Sequence, residues 1–577
     1  MDIATERQAA KRLSFYGRFS PFPNPLLKRH GLRYNGYERG RMEFISILND
    51  VLGPVMHGPS SSHTAGSYHI GRIALSLLGD EPERVSFTFD PDGSYAQTYR
   101  QQGVDLAFAT GVMGWPIADE RFSRALEAAA ARGLDLSFEI APLFQPDHPN
   151  TVLIKMASKS RRSLTLTAKS TGGGGVVVSE LDGRPVFLTG KSHDVIVLAA
   201  KHEAHHLKQA VGSLAEIMAP PTETILPDET LLTFRSPDPL APEAKNRIAA
   251  LPGVKEIWTA EPVFFVQKGE ALFRNAVEMV RLAEDRSVSL GRVALAYESQ
   301  ILGLPETDVL AEMSRRFEIM REACRQGLEN RDIRMQLLHP TAHKVFQAEF
   351  EGKTAIGGIH TRAAARALAV MHVSNSQGIV VAAPTGGASG VIPGVVVTLA
   401  EEMKLNNERA TLALFAASAV GLILAIRATF AAEVAGCQVE IGAAGAMAAA
   451  AVVEVAGGTA RQAADAAAIS FQNTMGSVCD LVQGMCEIPC HTRNAVAASG
   501  AFVCADLIMG GYENPVPLDE TIDAVYDSGK MLPTELRCTA LGGLALAPSA
   551  KSLPWLRINT PADSRSSGCP EMFTPKK

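Results

Sequence analysis

At 577 residues the chain is too long for one ordinary hydrophobic core, and two to four domains are expected. Apolar residues at 46% and charged residues at 20% lie in the globular range, which excludes a largely disordered chain. A formal net charge of -6, with no basic stripe interleaved with aromatics, excludes an evident nucleic-acid footprint and favours a small-molecule partner.

Residues 1–41 carry nine Lys or Arg against three acids and read as an irregular extension upstream of Met42, not as a transit peptide or nucleic-acid arm. No apolar signal segment is seen at the start, and eight cysteines are too sparse for a disulfide framework, so a reducing cytoplasm is expected. Residues 42–193 mix short β-rich runs, at 85–89, 151–156, 164–168 and 176–179, with turns and two helical stretches. This predicts an α+β domain. Residues 194–268 change character: strands at 195–199, 231–234 and 256–259 alternate with helices at 203–218 and 242–251, with a further short strand near 224–225. That order suits a small ferredoxin-like or ACT-like module. Residues 269–550 read as a large, mostly α-helical catalytic domain with Ala-rich helices at 409–433, 443–455 and 460–470. The most apolar stretch, 412–426, lies between Arg409 and Arg427 and is shorter than the ~20 residues a membrane span needs. It is expected to be a buried core helix, with no membrane partner. Helices apolar on most faces are expected to pack on all sides or in an oligomer, here a homodimer. Residues 551–577 form a polar tail carrying Cys569.

The string Gly58-Pro59-Ser60-Ser61-Ser62-His63-Thr64-Ala65-Gly66 places three hydroxyls beside an imidazole. Such a cluster suits carboxylate recognition and proton transfer, although a helix cap would use one of those hydroxyls as well. In Ala383-Pro384-Thr385-Gly386-Gly387-Ala388-Ser389-Gly390, a glycine-rich loop between apolar segments offers backbone N–H groups to an anion or makes a tight packing turn. The run Thr171-Gly172-Gly173-Gly174-Gly175, near Lys169, raises pyridoxal-phosphate chemistry, but its place between two β-rich runs reads as a hairpin connection. Cys324 and Cys504 read as small core residues. Cys437, Cys479, Cys486, Cys490 and Cys538 lack Cys-x2-Cys spacing, so a zinc ribbon is disfavoured. A thiolate set drawn from separate segments, suited to an iron-sulfur cluster, stays open.

Together these segments resemble the iron-sulfur-dependent L-serine dehydratase (L-serine ammonia-lyase) family, with its β and α parts fused. The resemblance runs from about Met42 to Ser549. It is carried by the string at 58–64, Gly93-Ser94 with Ala96 and Thr98, and His148-Pro149-Asn150. In the α part it is carried by the 383–390 loop with Ile392-Pro393, Gly436-Cys437-Gln438 with Glu440 and Gly442, Ile488-Pro489-Cys490 with Arg493-Asn494, and Gly542-Gly543-Leu544-Ala545. The resemblance implies a [4Fe-4S] cluster on Cys437, Cys479 and Cys490. The expected contacts of an amino-acid substrate are Ser60, Thr64, His148, Asn150, Thr385, Gly386, Gly387, Arg493 and Asn494. His63, with Ser61 and Ser62, is the expected catalytic group, since an imidazole suits proton transfer near neutral pH.

The pattern departs from the family at four places. Gly386 replaces the usual Asn, Gly445 replaces an extra cysteine, residues 481–486 read Leu-Val-Gln-Gly-Met-Cys, and Gln101-Gln102-Gly103 stands where a histidine is usual. The expected reaction is dehydration of L-serine to pyruvate and ammonia. The alternatives are a desulfidase acting on cysteine, a dehydratase for threonine or another β-hydroxy amino acid, a pyridoxal-phosphate lyase, and a non-catalytic amino-acid sensor. Cys569 is expected to be a free tail thiol, with fourth-ligand duty as its alternative.

Overall fold

The computed structural model describes residues 44–556. The expectations for residues 1–41, most of the polar tail and Cys569 therefore fall outside the described residues.

The first α+β region is a six-stranded sheet of order β3-β2-β4-β5-β6-β7: β2 Pro82–Phe89, β3 Asp135–Ile140, β4 Thr151–Ser158, β5 Ser163–Gly172, β6 Gly175–Leu181 and β7 Arg184–Leu188. Alternation sets its register. Val85, Phe87 and Phe89 stand opposite Met156, Ile154 and Val152, which in turn face Leu164, Leu166 and Ala168. All nine side chains are buried, because a period of two sends every second residue to one face. Helices Gly66–Leu78 and Val104–Val112 cover that face through Ile70, Ile73, Leu77, Val104, Phe108 and Val112. They approach so closely that a Cβ on Gly111 would lie 2.6 Å from the Tyr68 carbonyl. The glycine run joins β5 to β6 as a hairpin, with Gly172 opposite Gly175 and Gly172, Gly173 and Gly174 at positive φ.

The second sheet has the order β11-β8-β10-β9, all antiparallel: β8 His193–Ala200, β9 Thr222–Ile225, β10 Glu229–Ser236 and β11 Val254–Ala260. With helices Ala204–Gly212 and Pro242–Ala249 it makes a β-α-β-β-α-β unit. The first of these helices stops short of the expected 203–218, since the chain turns after Gly212 and Met218 N–H donates back to the Arg235 carbonyl of β10. β8 is buried on both faces. Val195 and Val197 pack on the unit's own helices, and Ile196 and Leu198 join the core of the six-stranded sheet. A strand sandwiched in this way reads as an unbroken apolar run.

The remainder is mostly helical. Side-chain caps start several helices: Asn275 before Ala276–Arg286, Ser289 before Leu290–Leu302, Asn406 before Asn407–Arg427, and a Thr459/Gln462 capping box before Ala460–Thr474. Two segments, Asn407–Arg427 and Cys437–Val455, are long and apolar enough to cross a membrane, yet 78% and 89% of their apolar windows are buried inside the protein. The first ends at Arg427, six residues short of the expected 433. There the guanidinium is paired with Asp519 and Asp523, and Ala428 leaves helical geometry. The N-terminal part is stitched to this helical body by a two-stranded ribbon in which β1 Val55–His57 pairs with β12 Ile379–Val381. A second short pair, β13 Cys479–Asp480 and β14 Arg537–Thr539, runs parallel.

Candidate functional site

The serine-rich loop is a cap and a histidine cage at once. Ser60 Oγ accepts from His63 N–H at 3.2 Å, which starts the turn Ser61–Ala65 leading into helix Gly66–Leu78. Ser60 Oγ and Ser62 Oγ also lie 3.2 and 3.0 Å from His63 Nδ1, and Ser94 Oγ lies 2.9 Å from Nε2. Burial, with the nearby His148, lowers the His63 pKa to about 3. The imidazole is therefore neutral in the free protein. Thr64 Oγ1 donates to the Gln102 carbonyl, within the stretch that departs from the family pattern.

Ser61 faces the other way and takes the Gly386 N–H at 3.2 Å, which joins this loop to the glycine-rich one. A Cβ on Gly386 would stand 2.7 Å from the Pro59 carbonyl and 2.8 Å from Ser61 N, so the backbone here leaves no room for the asparagine usual in the family. A Cβ on Gly387 would lie 3.3 Å from Cys486 Sγ and 3.8 Å from Glu440 Oε2, which shows that the same loop borders the thiols. Thr385 is hydrogen-bonded to the Glu440 carboxyl.

Five cysteines gather here from separate segments. Cys437 opens the turn Cys437–Val439, Cys479 lies in β13, Cys490 starts helix Cys490–Met509, Cys486 precedes that helix, and Cys538 lies in β14. Cys437 Sγ, Cys479 Sγ and a Glu440 carboxylate oxygen lie within 4.8 Å of one another. The neighbouring thiol of Cys479, then burial, raise the pKa of Cys437 well above its ordinary value, with Cys490 and Glu440 adding to the effect. Cys486 is raised in the same way by Cys490 and burial. Cys538 is hydrogen-bonded to Cys479, which favours its thiolate, but burial pushes it up to about 12. Crowded soft donors with so little compensating positive charge fit a thiolate-bound metal group.

Arg493 and Asn494 act as ties. Arg493 donates to the Val478 carbonyl at 2.7 Å, reaches Cys437 Sγ at 3.7 Å, and pairs with Asp480 at 3.0 Å. Asn494 donates from Nδ2 to the carbonyls of Gly387 and Cys490, both at 2.9 Å, and accepts from Gly390 N–H at 3.1 Å. It thereby fixes the glycine loop against the first turn of the Cys490 helix. Glu487, between Cys486 and Cys490, accepts the N–H groups of Gln336, Leu337 and Leu338 and anchors that loop from behind.

The sequence reading passed over Glu433, while it named Glu440 with the Cys437 motif. Glu433 and Glu440 are half-buried. Glu433 accepts from Asn150 Nδ2 at 3.1 Å, and the Asn150 backbone N–H donates to His148 Nδ1. Burial, with the neighbouring Glu433, raises the Glu440 pKa to about 8. Lys169 Nζ is paired with Asp147. The only sequence cue to Glu433 is its place four residues before Cys437.

Residues 196–545 match the family model described as "Serine dehydratase alpha chain". The chain belongs to the iron-sulfur L-serine dehydratase family. It is thus a lyase of the ammonia-lyase class. An "L-serine dehydratase, alpha chain" of Peptoniphilus asaccharolyticus is 34% identical over 277 residues, 48% of this chain and 94% of that protein. A "Probable L-serine dehydratase, beta chain" of Bacillus subtilis is 42% identical over 157 residues, 27% of this chain and 69% of that protein. "L-serine dehydratase TdcG" of Escherichia coli is similar along most of the length, 26% identical over 516 residues, 85% of this chain and 96% of that protein. Alpha-chain, beta-chain and full-length relatives therefore all match this single chain.

Proposed function

We propose that the chain dehydrates L-serine to pyruvate and ammonia, using a [4Fe-4S] cluster held by Cys437, Cys479 and Cys490. The observation that carries this reading is the convergence of Cys437, Cys479 and Glu440 beside a glycine loop whose other face is bonded to the Ser60–Thr64 string. A cluster bound by three thiolates supplies Lewis-acid chemistry toward a carboxylate and a β-hydroxyl.

The chain's own residues do the rest. Arg493 and Asp480 hold the Cys437 and Cys479 segments together, and Asn494 holds the glycine loop over the Cys490 helix. Ser60, Ser61, Ser62 and Thr385 offer hydroxyls, and Gly386 and Gly387 offer a bare backbone, to a substrate carboxylate. His63 is the proposed acceptor of the α-proton. Burial keeps it unprotonated, and a substrate carboxylate brought beside it raises its proton affinity. Loss of the proton and of hydroxide leaves an enamine, which tautomerises to the imine and hydrolyses to ketoacid and ammonia.

We read residues 42–193 as the β-type part, 194–268 as an ACT-like module and 269–550 as the α-type catalytic part, working as a homodimer in a reducing cytoplasm. All seven described cysteines are free thiols, which suits that compartment. The test is ammonia release from L-serine, L-threonine and L-cysteine by anaerobically reconstituted protein. A kcat/KM for serine about tenfold or more above the other two is expected, and preference for cysteine or threonine would move the assignment to a desulfidase or threonine dehydratase.

A further inference from the structure

We infer that Glu433, together with the side-chain carbonyl of Asn150, receives the α-ammonium group of the substrate. This deepens the reading of the site as an amino-acid lyase and rests on it.

Glu433 sits on the short helix Ala432–Ala435, deep in the protein but still reached by solvent. A carboxylate only accepts, so the Asn150 atom facing it at 3.1 Å is the amide nitrogen, and the amide oxygen is the other arm. Asn150 is wholly buried, and its Oδ1 has no hydrogen-bond partner among the described residues. Leaving a buried carbonyl unpaired is costly, and such an atom calls for a donor from outside the chain. Here it sits beside a carboxylate.

The electrostatics points the same way. Among the described residues no ion pair reaches Glu433, whose side-chain partner is Asn150. Two bases of this region are committed elsewhere, Lys169 to Asp147 and Arg493 to Asp480. Burial pushes the Glu433 carboxyl above its ordinary range, and a cation brought beside it would favour the carboxylate again. A primary ammonium has three N–H donors and a single positive charge, which matches one carboxylate plus one amide oxygen. With the substrate's carboxylate held by the serine and glycine loops and its departing β-hydroxyl at the thiolate site, its ammonium is the group left for this corner. Recognition there would separate an amino acid from the hydroxy acid that lacks the amine.

The matched probes are L-alanine and propionate, which differ by the ammonium group and undergo no elimination. Calorimetric Kd values are measured for both on reconstituted wild type, Glu433→Gln and Asn150→Ala, with iron content and circular dichroism as folding controls. In Glu433→Gln the Kd of L-alanine is expected to rise on the order of 10- to 100-fold, while that of propionate changes less than about twofold. Asn150→Ala should move in the same direction by a smaller factor. Equal weakening of both probes, or an unchanged L-alanine Kd in Glu433→Gln, overturns the inference. Turnover of serine with equal weakening removes the inference and leaves the function. Glu433-dependent preference for L-alanine without serine turnover removes the function and leaves the inference.

Discussion

His63 shows how one residue serves two ends. Its backbone N–H is used in the cap by Ser60, while its ring is enclosed by Ser60, Ser62 and Ser94. Capping and chemistry were competing readings of the same string, and the geometry has room for both. If the ring carries the α-proton, His63→Asn lowers kcat by roughly 10²- to 10⁴-fold with iron content and serine KM held within a few-fold. Iron loss in step with activity would assign the ring to packing instead. Asn494 spends both ends of its amide on the glycine loop and the Cys490 helix, and Arg493 is engaged by Asp480 and Cys437, so in the free protein both tie the site together.

At the scale of elements, legibility followed local periodicity. The strands at 85–89, 151–156 and 164–168 were readable because alternate residues face one core, and the Ala-rich helices because alanine is the best helix former. β1, β12, β13 and β14 were not readable, being two or three residues long and defined by distant partners. Yet those short pairs help assemble the site. Val55–His57 against Ile379–Val381 ties the serine-bearing segment to the helical body, and Cys479–Asp480 against Arg537–Thr539 brings Cys538 to Cys479. The cysteine spacing left a soft-metal site open, and the motifs around it narrowed the choice to Cys437, Cys479 and Cys490. Glu433 and the nearness of Cys486 and Cys538 depend on tertiary packing that no local pattern encodes.

At the scale of the whole molecule, folding takes several imidazoles out of water. His69 is buried, lies 2.8 Å from the Gly174 carbonyl through Nδ1, and has its pKa lowered by burial to about 4. The unfolded chain takes up this proton below about pH 6.5 and the folded one only near 4, so the associated stability is complete above 6.5 and is lost as pH falls between those values. At pH 5 the loss is about 2 kcal/mol. His69→Gln should therefore be less stable than wild type at pH 7, and that deficit should shrink at pH 5, as read from paired thermal midpoints; a deficit independent of pH would contradict this.

The central claim, that three thiolates from distant segments hold the group on which serine dehydration depends, is tested most directly by one measurement. Iron and acid-labile sulfide are quantified per chain in anaerobically reconstituted wild type and Cys479→Ser, alongside serine turnover by the same samples. The expected result is iron and sulfide near ~4 each in the wild type, with both, and turnover, lost in the variant. Serine turnover that survives the loss of iron would contradict it.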